Sequence, residues 1–568
     1  MEKFRPIKYL YYSLILFLIL GYIFTLSIDL IDIDTAQYAE ISREMLQNND
    51  FFHLRDNGKK YLDKPILTFW TIALSFQIFG ISNFSFRLPS LIMLLISCYG
   101  IFKISQLKFE KLEISLISVI AYLAIPGTYT FSLNPTIDVY LNTYFILVHL
   151  FYYLGFKKNQ NFYYLMYLFL GLAIITKGPI GIVVPMISIG GDLLFRRDWN
   201  RLLEMKLIPG LLITSIFPFF WSYLLWQDFN DFGPYFFLYL QSFGRFYMKM
   251  YDQGWNPLYF ITTFSWMFLT FLPIFLFAIY KNFFNFIWLK NYIKNFNLKN
   301  SPELKNKDYT IEFWIFLYLL LISFSKYRMP QYSYWNIPAS AIFISPYIYY
   351  YLYEGKLSFK SILMILPSIL TIILLFIIPF VIIDFSYTYL LILLFFFSLL
   401  YIYYNYNNFA IGITILPIAF IFIANSLLVY PELLKYQPSS LMGRKIQELE
   451  PNQSTILSLG LPRSKRSYEF YSNRLIEFIF ESDSLINLLK KDHTRLAILP
   501  EEFQILITNQ FKNKINFEII ESYPYYKVAT PKMSFLKKAS REKVVQKLLL
   551  IKLKLSNEEP KEKDFFRK

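Results

Sequence analysis

Apolar residues run along this chain in blocks of about 20 separated by short polar turns, and a helix of that length crosses a hydrocarbon core near 30 Å thick. The first block runs from Tyr9 to Ile28. Others follow at approximately 87–106, 112–131, 137–156, 162–175, 178–195, 206–226, 258–280, 311–324, 335–353, 361–383, 386–404 and 408–429. About thirteen transmembrane helices are therefore predicted, an all-α polytopic membrane bundle. The first block follows the basic stretch Lys3-Phe4-Arg5-Pro6-Ile7-Lys8, with no small-x-small cleavage site after it. It reads as an uncleaved signal anchor with its amino end inside.

Beyond about Pro431 the pattern changes. Short apolar runs (Thr455–Leu461, Arg495–Leu499, Phe517–Val528) alternate with helical stretches (Ser482–Lys490, Glu501–Phe511). This predicts a transmembrane domain over 1–430, a small α/β domain over 431–531 and a basic tail over 532–568. An odd number of spans puts the α/β domain outside. In the tail, Val544, Val545, Leu548, Leu549 and Leu553 suit a helix lying on the membrane, or equally a frayed terminus.

Composition agrees with the pattern: of 568 residues, 55% are hydrophobic and 17% charged. The net charge of +16 would suggest nucleic acid in a soluble chain. Here the basic residues sit in loops between spans, so membrane topology accounts for the sign and no nucleic-acid partner is expected. The single Cys98 excludes a disulfide framework and a thiolate cluster. Lys108 and Lys111, Lys157 and Lys158, and Arg196, Arg197, Arg201 and Lys206 all fall in connections that an inside amino end makes cytoplasmic.

Four outward segments break the positive-inside rule: Arg43, Arg55, Lys59, Lys60 and Lys64; Lys177; Arg245 and Lys249; and Lys326 with Arg328. Any one of these could be a snorkelling anchor. Four on one side are better explained together by a shared anionic ligand, and a phosphate headgroup suits Arg forks and Lys point charges.

Carboxylates gather on the same side. The first loop holds Asp29, Asp32 and Asp34, then Tyr38, Glu40, Arg43 and Glu44 at helical spacing along a short amphipathic helix. Two readings of Asp34 stand side by side: a cap on that helix, or a carboxylate that takes an acceptor proton or orients a metal. Asp138, in Asn134-Pro135-Thr136-Ile137-Asp138, opens a span. It either complements the positive helix end or divides base and positioning roles with Asp34. In Thr176-Lys177-Gly178-Pro179 a turn explains Gly178 and Pro179 but does not ask for Lys177. Lys326 and Arg328, two residues apart in a short turn, form a candidate phosphate clamp.

Taken in order, these segments resemble the C-type membrane glycosyltransferases that use polyprenyl-phosphate sugars. The nearest group looks like the aminoarabinose–lipid A transferases, in the superfamily of the protein O-mannosyltransferases (glycosyltransferase family 39). Asp34 to Met45 is similar to the family's Asp-Glu-x-x-Tyr-Ala-Glu-x-x-Arg-Glu-Met loop. Tyr61 to Pro65 with Phe69-Trp70 is similar to its Tyr-x-Glu-Lys-Pro-Pro-x-x-x-Trp stretch, and Arg87-Leu88-Pro89-Ser90 follows in place. Thr176 to Pro179 resembles its Thr-Lys-Gly-Pro turn, and Ser325 to Ala339 its Ser-Lys-x-Lys-x-Pro-x-Tyr…Pro-Ala segment.

The resemblance implies a helical bundle with amphipathic helices in the first outer loop, in the inner membrane of a bacterium. It implies transfer of a sugar from a polyprenyl-phosphate donor to an extracytoplasmic acceptor, lipid A or a related envelope glycolipid. Asp34 and Asp138 would be catalytic, and Lys64, Lys177, Lys326 and Arg328 would hold the donor phosphate. Tyr38, Glu40, Arg43, Tyr61, Asp63, Arg245 and Tyr332 would line the cavity. A protein hydroxyl acceptor and a lipid-phosphate transporter are the competing readings. Three departures stand out. Thr35 replaces the Glu of the family's Asp-Glu pair, Asp63 replaces Glu, and Trp255-Asn256-Pro257 lacks a His used by some members. His53, His149 and His493 share no ligand spacing, so no histidine-bound zinc is expected, while a carboxylate-held Mg²⁺ or Ca²⁺ stays open.

Overall fold

The computed structural model describes residues 5–244, 256–283, 308–353, 373, 377, 381–382, 387–405, 409–449, 455–459, 466–479, 482–492, 494–505 and 515–555. Among them, six helices are long and apolar enough to cross a membrane: Tyr9–Ser27, Asn83–Phe109, Ile137–Lys157, Pro179–Arg196, Leu207–Phe229 and Thr414–Leu434. Two bent pairs raise the number to eight if each counts as one span, and four further apolar helices are shorter. The predicted span at 361–383 lies almost wholly outside the described residues.

The chain begins with α1 (Arg5–Ile23) and then lays α2 (Asp34–Gln47) across one face of the bundle. A two-residue hairpin follows, β1 (Arg55–Asp56) against β2 (Lys59–Lys60), and then α3 (Leu67–Phe79), whose 13 residues are too few to span. α4 (Asn83–Phe109) starts at a reciprocal cap in which Ser82 and Ser85 bond each other's backbone N–H. The run predicted as one span over 112–131 is two helices, α5 (Leu112–Ala124) and α6 (Pro126–Leu133), bent by 56°. Pro126 causes the break, because it lacks the N–H that would continue α5 and suits the first position of α6.

α7 (Ile137–Lys157) and α8 (Phe162–Lys177) return across the bundle, and α8 stops at Gly178 with φ +89°. α9 (Leu207–Phe229), α10 (Thr310–Ser323) and α11 (Ile337–Tyr353) complete the helices that frame the site. The starts of α4 and α7 and the end of α8 share the face that carries α2. Their other ends lie roughly 30 Å away at 1.5 Å per residue.

The chain then forms α12 (Ser439–Leu449) and α13 (Arg466–Ser472), packed beside a five-stranded sheet. Its strands are β3 (Ile456–Ser458), β4 (Ile476–Phe478), β5 (Thr494–Pro500), β6 (Ile515–Tyr525) and β7 (Gln546–Leu555), in the order β4-β3-β5-β7-β6. β3 pairs in parallel with β4 and β5, whereas β7 is antiparallel to both β5 and β6. The expectation of a separate basic tail needs correction here. Residues 546–555 form an interior strand in which Leu548 to Ile551 are buried on both faces. That continuous apolar run marks a covered strand, although Val544, Val545, Leu548 and Leu549 also match helical spacing.

Candidate active site at one end of the bundle

Asp34 is the first residue of α2, but it does not cap it. Ile33 occupies the capping position, and no side-chain cap bond forms. Asp34 keeps contact with solvent, yet the protein walls around it raise its pKa above the ordinary value. Lys64 opposes that shift, Asp138 and Asp63 add to it, and Lys177 opposes it. Those four groups, from the first loop, α7 and α8, thus act on one carboxylate. Thr35, where the family pattern has Glu, is buried and donates its hydroxyl to the Ile31 carbonyl one turn back. One turn further on, Tyr38 is buried against the edge of Phe69, with the ring of Tyr61 on the same Phe69 at 6.1 Å.

Asp138 sits in the first turn of α7, where Thr136 accepts from its N–H. Its Oδ1 accepts from Lys177 Nζ and, at 3.1 Å, from Trp335 Nε1 at the mouth of α11. Its Oδ2 accepts from the Thr136 hydroxyl at 3.2 Å. The ammonium of Lys177 lies 4.9 Å from the Trp335 ring centre and 5.3 Å from that of Tyr332. Asp138 and Lys177 are both buried. Gly178 permits this placement: a Cβ there would lie 3.3 Å from Ser242 Oγ and 3.4 Å from the Phe237 carbonyl. The segment Phe236–Gly244, which leads toward Arg245, therefore packs on the Lys177 turn. Arg245 itself lies outside the described residues.

Lys64 is mostly buried and donates to Asp63 Oδ2 at 2.6 Å. Arg328 is buried, donates to the Asn256 carbonyl at 3.1 Å and lies 5.8 Å from the Tyr259 ring centre. Lys326 is exposed, with no ion pair among the described residues. Tyr332 joins this turn to Lys177, since its ring also packs on Tyr327, Phe260 and Trp335.

Asp34, Tyr38, Tyr61, Asp63, Lys64, Asp138, Lys177 and Tyr332 thus come together. Glu40 and Arg43 do not join them. They occupy the opposite face of α2, buried and paired with each other, Arg43 Nε donating to Glu40 Oε2 at 2.7 Å. Arg43 Nη1 also donates to Asn473 Oδ1, just after α13. Burial carries the Glu40 carboxyl up to about 7 in spite of Arg43. The reason for their separation from Asp34 is the 100° helical step, which turns Arg43 to the far side of α2.

Sequence reasoning missed the groups that hold the first loop in place. Glu44 accepts from the N–H groups of Asn57 and Gly58 at 2.6 and 2.9 Å. Arg466 bridges Asp56 and Glu469, and Arg55 and Lys60 pair with Asp228 at the end of α9. Trp335 was legible only as the start of a span. Apart from the Glu44 contacts and the Arg466–Glu469 pair, these partners lie well over a hundred residues apart, and no local spacing announces them.

Among the described residues, no three His, Cys, Asp or Glu side chains are placed to hold a metal ion. Asp138, the most deeply set carboxylate here, already has three hydrogen-bond donors. Among the described residues, therefore, the site does not present the set of free carboxylates that a Mg²⁺ or Ca²⁺ would need.

The family described as dolichyl-phosphate-mannose-protein mannosyltransferase matches residues 63–226. An undecaprenyl phosphate-alpha-4-amino-4-deoxy-L-arabinose arabinosyl transferase of Sodalis glossinidius is 28% identical over 213 residues, 34% of this chain and 38% of that protein. One from Wigglesworthia glossinidia brevipalpis is 33% identical over 183 residues, 31% of this chain and 33% of that protein. The matched stretch spans little more than a third of the length of these curated relatives. In structure, the chain is similar to ArnT from Cupriavidus metallidurans bound to undecaprenyl phosphate, with a TM-score of 0.70 and 17% identity over 96% of this chain and 98% of that one. The chain shares that fold, and the family resemblance drawn from the motifs is borne out.

Proposed function

We propose that this protein is a multi-pass membrane glycosyltransferase that moves a sugar, 4-amino-4-deoxy-L-arabinose, from polyprenyl phosphate to lipid A or a related envelope glycolipid. In this reading the face carrying α2 looks outward, about thirteen spans cross the inner membrane with the amino end inside, and the α/β domain is extracytoplasmic. One observation carries the proposal. The Asp138–Lys177 pair on α7 and α8 and the Asp63–Lys64 pair in the first loop gather around Asp34 at one end of the bundle, although they come from three separate parts of the chain. The names of the curated relatives supply the sugar and the lipid carrier.

The chemistry follows from the charges. The bond from the anomeric carbon to the donor phosphate breaks, and its electron pair leaves with the phosphate oxygen. Oxocarbenium-like charge develops on the sugar as the acceptor oxygen attacks. Lys64 and Lys177, already on the site, stabilise the departing phosphate, with Lys326 and Arg328 completing its surroundings. Asp138 fixes Lys177 in place by a hydrogen bond to its ammonium. An acceptor phosphate brings no proton to remove, and Asp34 then orients the acceptor and offsets the positive charge on the sugar. A hydroxyl acceptor would give its proton to Asp34, whose raised pKa makes it a stronger base.

Asp34→Asn should abolish transfer of labelled sugar to lipid A in a protein that still folds; retained turnover would refute the role. A protein hydroxyl acceptor is the second reading, favoured by the mannosyltransferase match over residues 63–226. Label appearing on secreted protein and not on lipid A would select it.

A further inference from the structure

A second cavity, of about 410 Å³, opens on the same face of the molecule, between the α3–α4 turn and the helices α12 and α13. Its polar lining comes from Ser82, Asn83, Arg444, Gln447, Tyr471 and Asn473. We infer that this cleft docks a phosphorylated saccharide head of the acceptor lipid, with Arg444 as its phosphate partner. The inference rests on the proposed glycolipid acceptor and adds to it a binding subsite apart from the Asp34 cluster.

Three observations support it. First, the lining has one charged side chain, Arg444, which is exposed and makes no ion pair among the described residues. An unpaired guanidinium offers two parallel N–H groups to a phosphate. Around it are amides, a phenol and the ring of Phe470, the side chains that hydrogen-bond and stack on sugars.

Second, the cleft lies where an amphiphile's head would be. Phe79, Ile81, Phe84 and Leu441 beside it are exposed large apolar residues. Asn83 begins a membrane-length helix, so these side chains mark the boundary between hydrocarbon and water. Acyl chains can occupy that surface while the head enters the cleft.

Third, the cleft is joined to the proposed active site by a rigid element. Asn473 Oδ1 accepts from Arg43 and, at 2.7 Å, from Gln47 on α2. Tyr471 donates to Asn83 Oδ1 at 2.6 Å and accepts from the Leu30 N–H at 2.7 Å, so the wall is fixed to the loop that leads to Asp34. Arg43 lies about 14 Å along the helix axis from Asp34. A head spanning both points must contain more than one sugar, and its far end anchors while the near end reacts. Binding energy gained away from the reacting atoms is then available for orientation.

The test compares the full-length protein with Arg444→Gln, Arg444→Lys and, as a control on the same helix, Lys445→Gln, whose side chain pairs with Glu448. In Arg444→Gln the KM for lipid A should rise about tenfold, the scale of one lost charge-assisted hydrogen bond, while the donor KM moves less than about twofold. Arg444→Lys should recover part of the loss, and Lys445→Gln should match the wild type. Donor-free binding of lipid A, read by native mass spectrometry, should fall in parallel, and dephosphorylated lipid A should no longer distinguish wild type from Arg444→Gln. Equal binding of lipid A by wild type and Arg444→Gln would overturn the inference. So would displacement of lipid A by equimolar phosphatidylglycerol or by inorganic phosphate, which would make the cleft a general headgroup or anion site. These outcomes are separable from failure of the functional reading, which would show as a wild type that binds lipid A yet transfers no sugar to it.

Discussion

The two ends of α7 carry the same kinds of side chain and use them differently. At the end roughly 22 Å from Asp138, Asp308 accepts from Lys108 Nζ at 3.0 Å, from the Tyr153 hydroxyl and from the Thr310 N–H at 3.0 Å. Burial alone would raise that carboxyl, but Lys108 and the hydrogen bonds together hold it well below the usual carboxylate range. Nearby, Arg196 pairs with Asp192, and Arg201 pairs with Asp198 at 3.2 Å. Every one of these cations has a carboxylate. At the Asp138 end the matching is incomplete: Asp34 has no hydrogen-bond partner for its carboxyl among the described residues, and Lys326 has no ion pair. A satisfied network stabilises a scaffold, whereas charges left open to one cavity are available to a ligand.

The largest contrast is expected between Asp34→Asn and Asp308→Asn. Removing Asp34 should lower transfer by at least about 100-fold, the scale of a lost base or electrostatic stabiliser. Its raised pKa means the folded state disfavours the carboxylate, a cost that appears as pH rises through that pKa. Asp34→Asn should therefore be no less heat-stable than wild type at pH 7, and a clear drop in Tm would break the comparison. Asp308→Asn should do the reverse, costing about 2–3 kcal/mol because Lys108 is left partly buried without its partner. Any activity it loses should track the folded fraction. The Asp308 contribution is present above the unfolded carboxylate pKa of about 3.9 and is lost as pH falls through the lower folded value. Melts in acid should therefore converge for wild type and Asp308→Asn.

The pH profile sharpens the contrast further. Transfer that needs the Asp34 carboxylate should fall on the acid side at a pH above that of an ordinary aspartate. Asp138 raises the Asp34 pKa, and in Asp138→Asn the freed Lys177 would lower it further, so whatever activity remains should have its acid limb displaced to lower pH. An unmoved limb in Asp138→Asn would separate Asp34 from the observed titration.

How much of this was legible in the sequence depended on sequence distance. The helix over Asp34 to Gln47, the turn at Lys177 and Gly178, and the first turn of α7 with Asp138 each lie within a few residues and were legible as local patterns. The hydrogen bond between Trp335 and Asp138 joins residues 197 apart, and that between Lys108 and Asp308 joins residues 200 apart. No periodicity reports such pairs. Hydropathy also averages over a bend, which is why 112–131 read as one helix although Pro126 stood in the middle of it. In β7, Lys552 and Lys554 alternate as a strand requires, but the Leu pairs upstream mimic a helical stripe. Only the neighbouring strands β5 and β6 decide between the two.

A smaller effect is expected at Lys326. Lys326→Gln should raise the donor KM by about tenfold or less, since one exposed charge contributes modestly, and should shift stability by less than about 0.5 kcal/mol. Lys108→Gln at the other end should lower stability and leave the donor KM unchanged. If the two substitutions give the same profile, the open-versus-satisfied distinction fails.

The smallest expected effect belongs to Thr35, the residue that stands where the family pattern has an acid. Its buried hydroxyl is committed to the Ile31 carbonyl and so has no proton to offer a substrate. Thr35→Val keeps the shape and leaves that carbonyl one donor short, so it should cost about 1 kcal/mol of stability and leave kcat near wild type. The measurement is a thermal melt alongside initial rates at saturating donor and lipid A. A loss of rate beyond tenfold with an unchanged melt would mean that Thr35 takes over part of the role of the missing acid. Asp34 would then no longer be the single reactive group on this helix, and the boundary between scaffold and site would have to move one residue along α2.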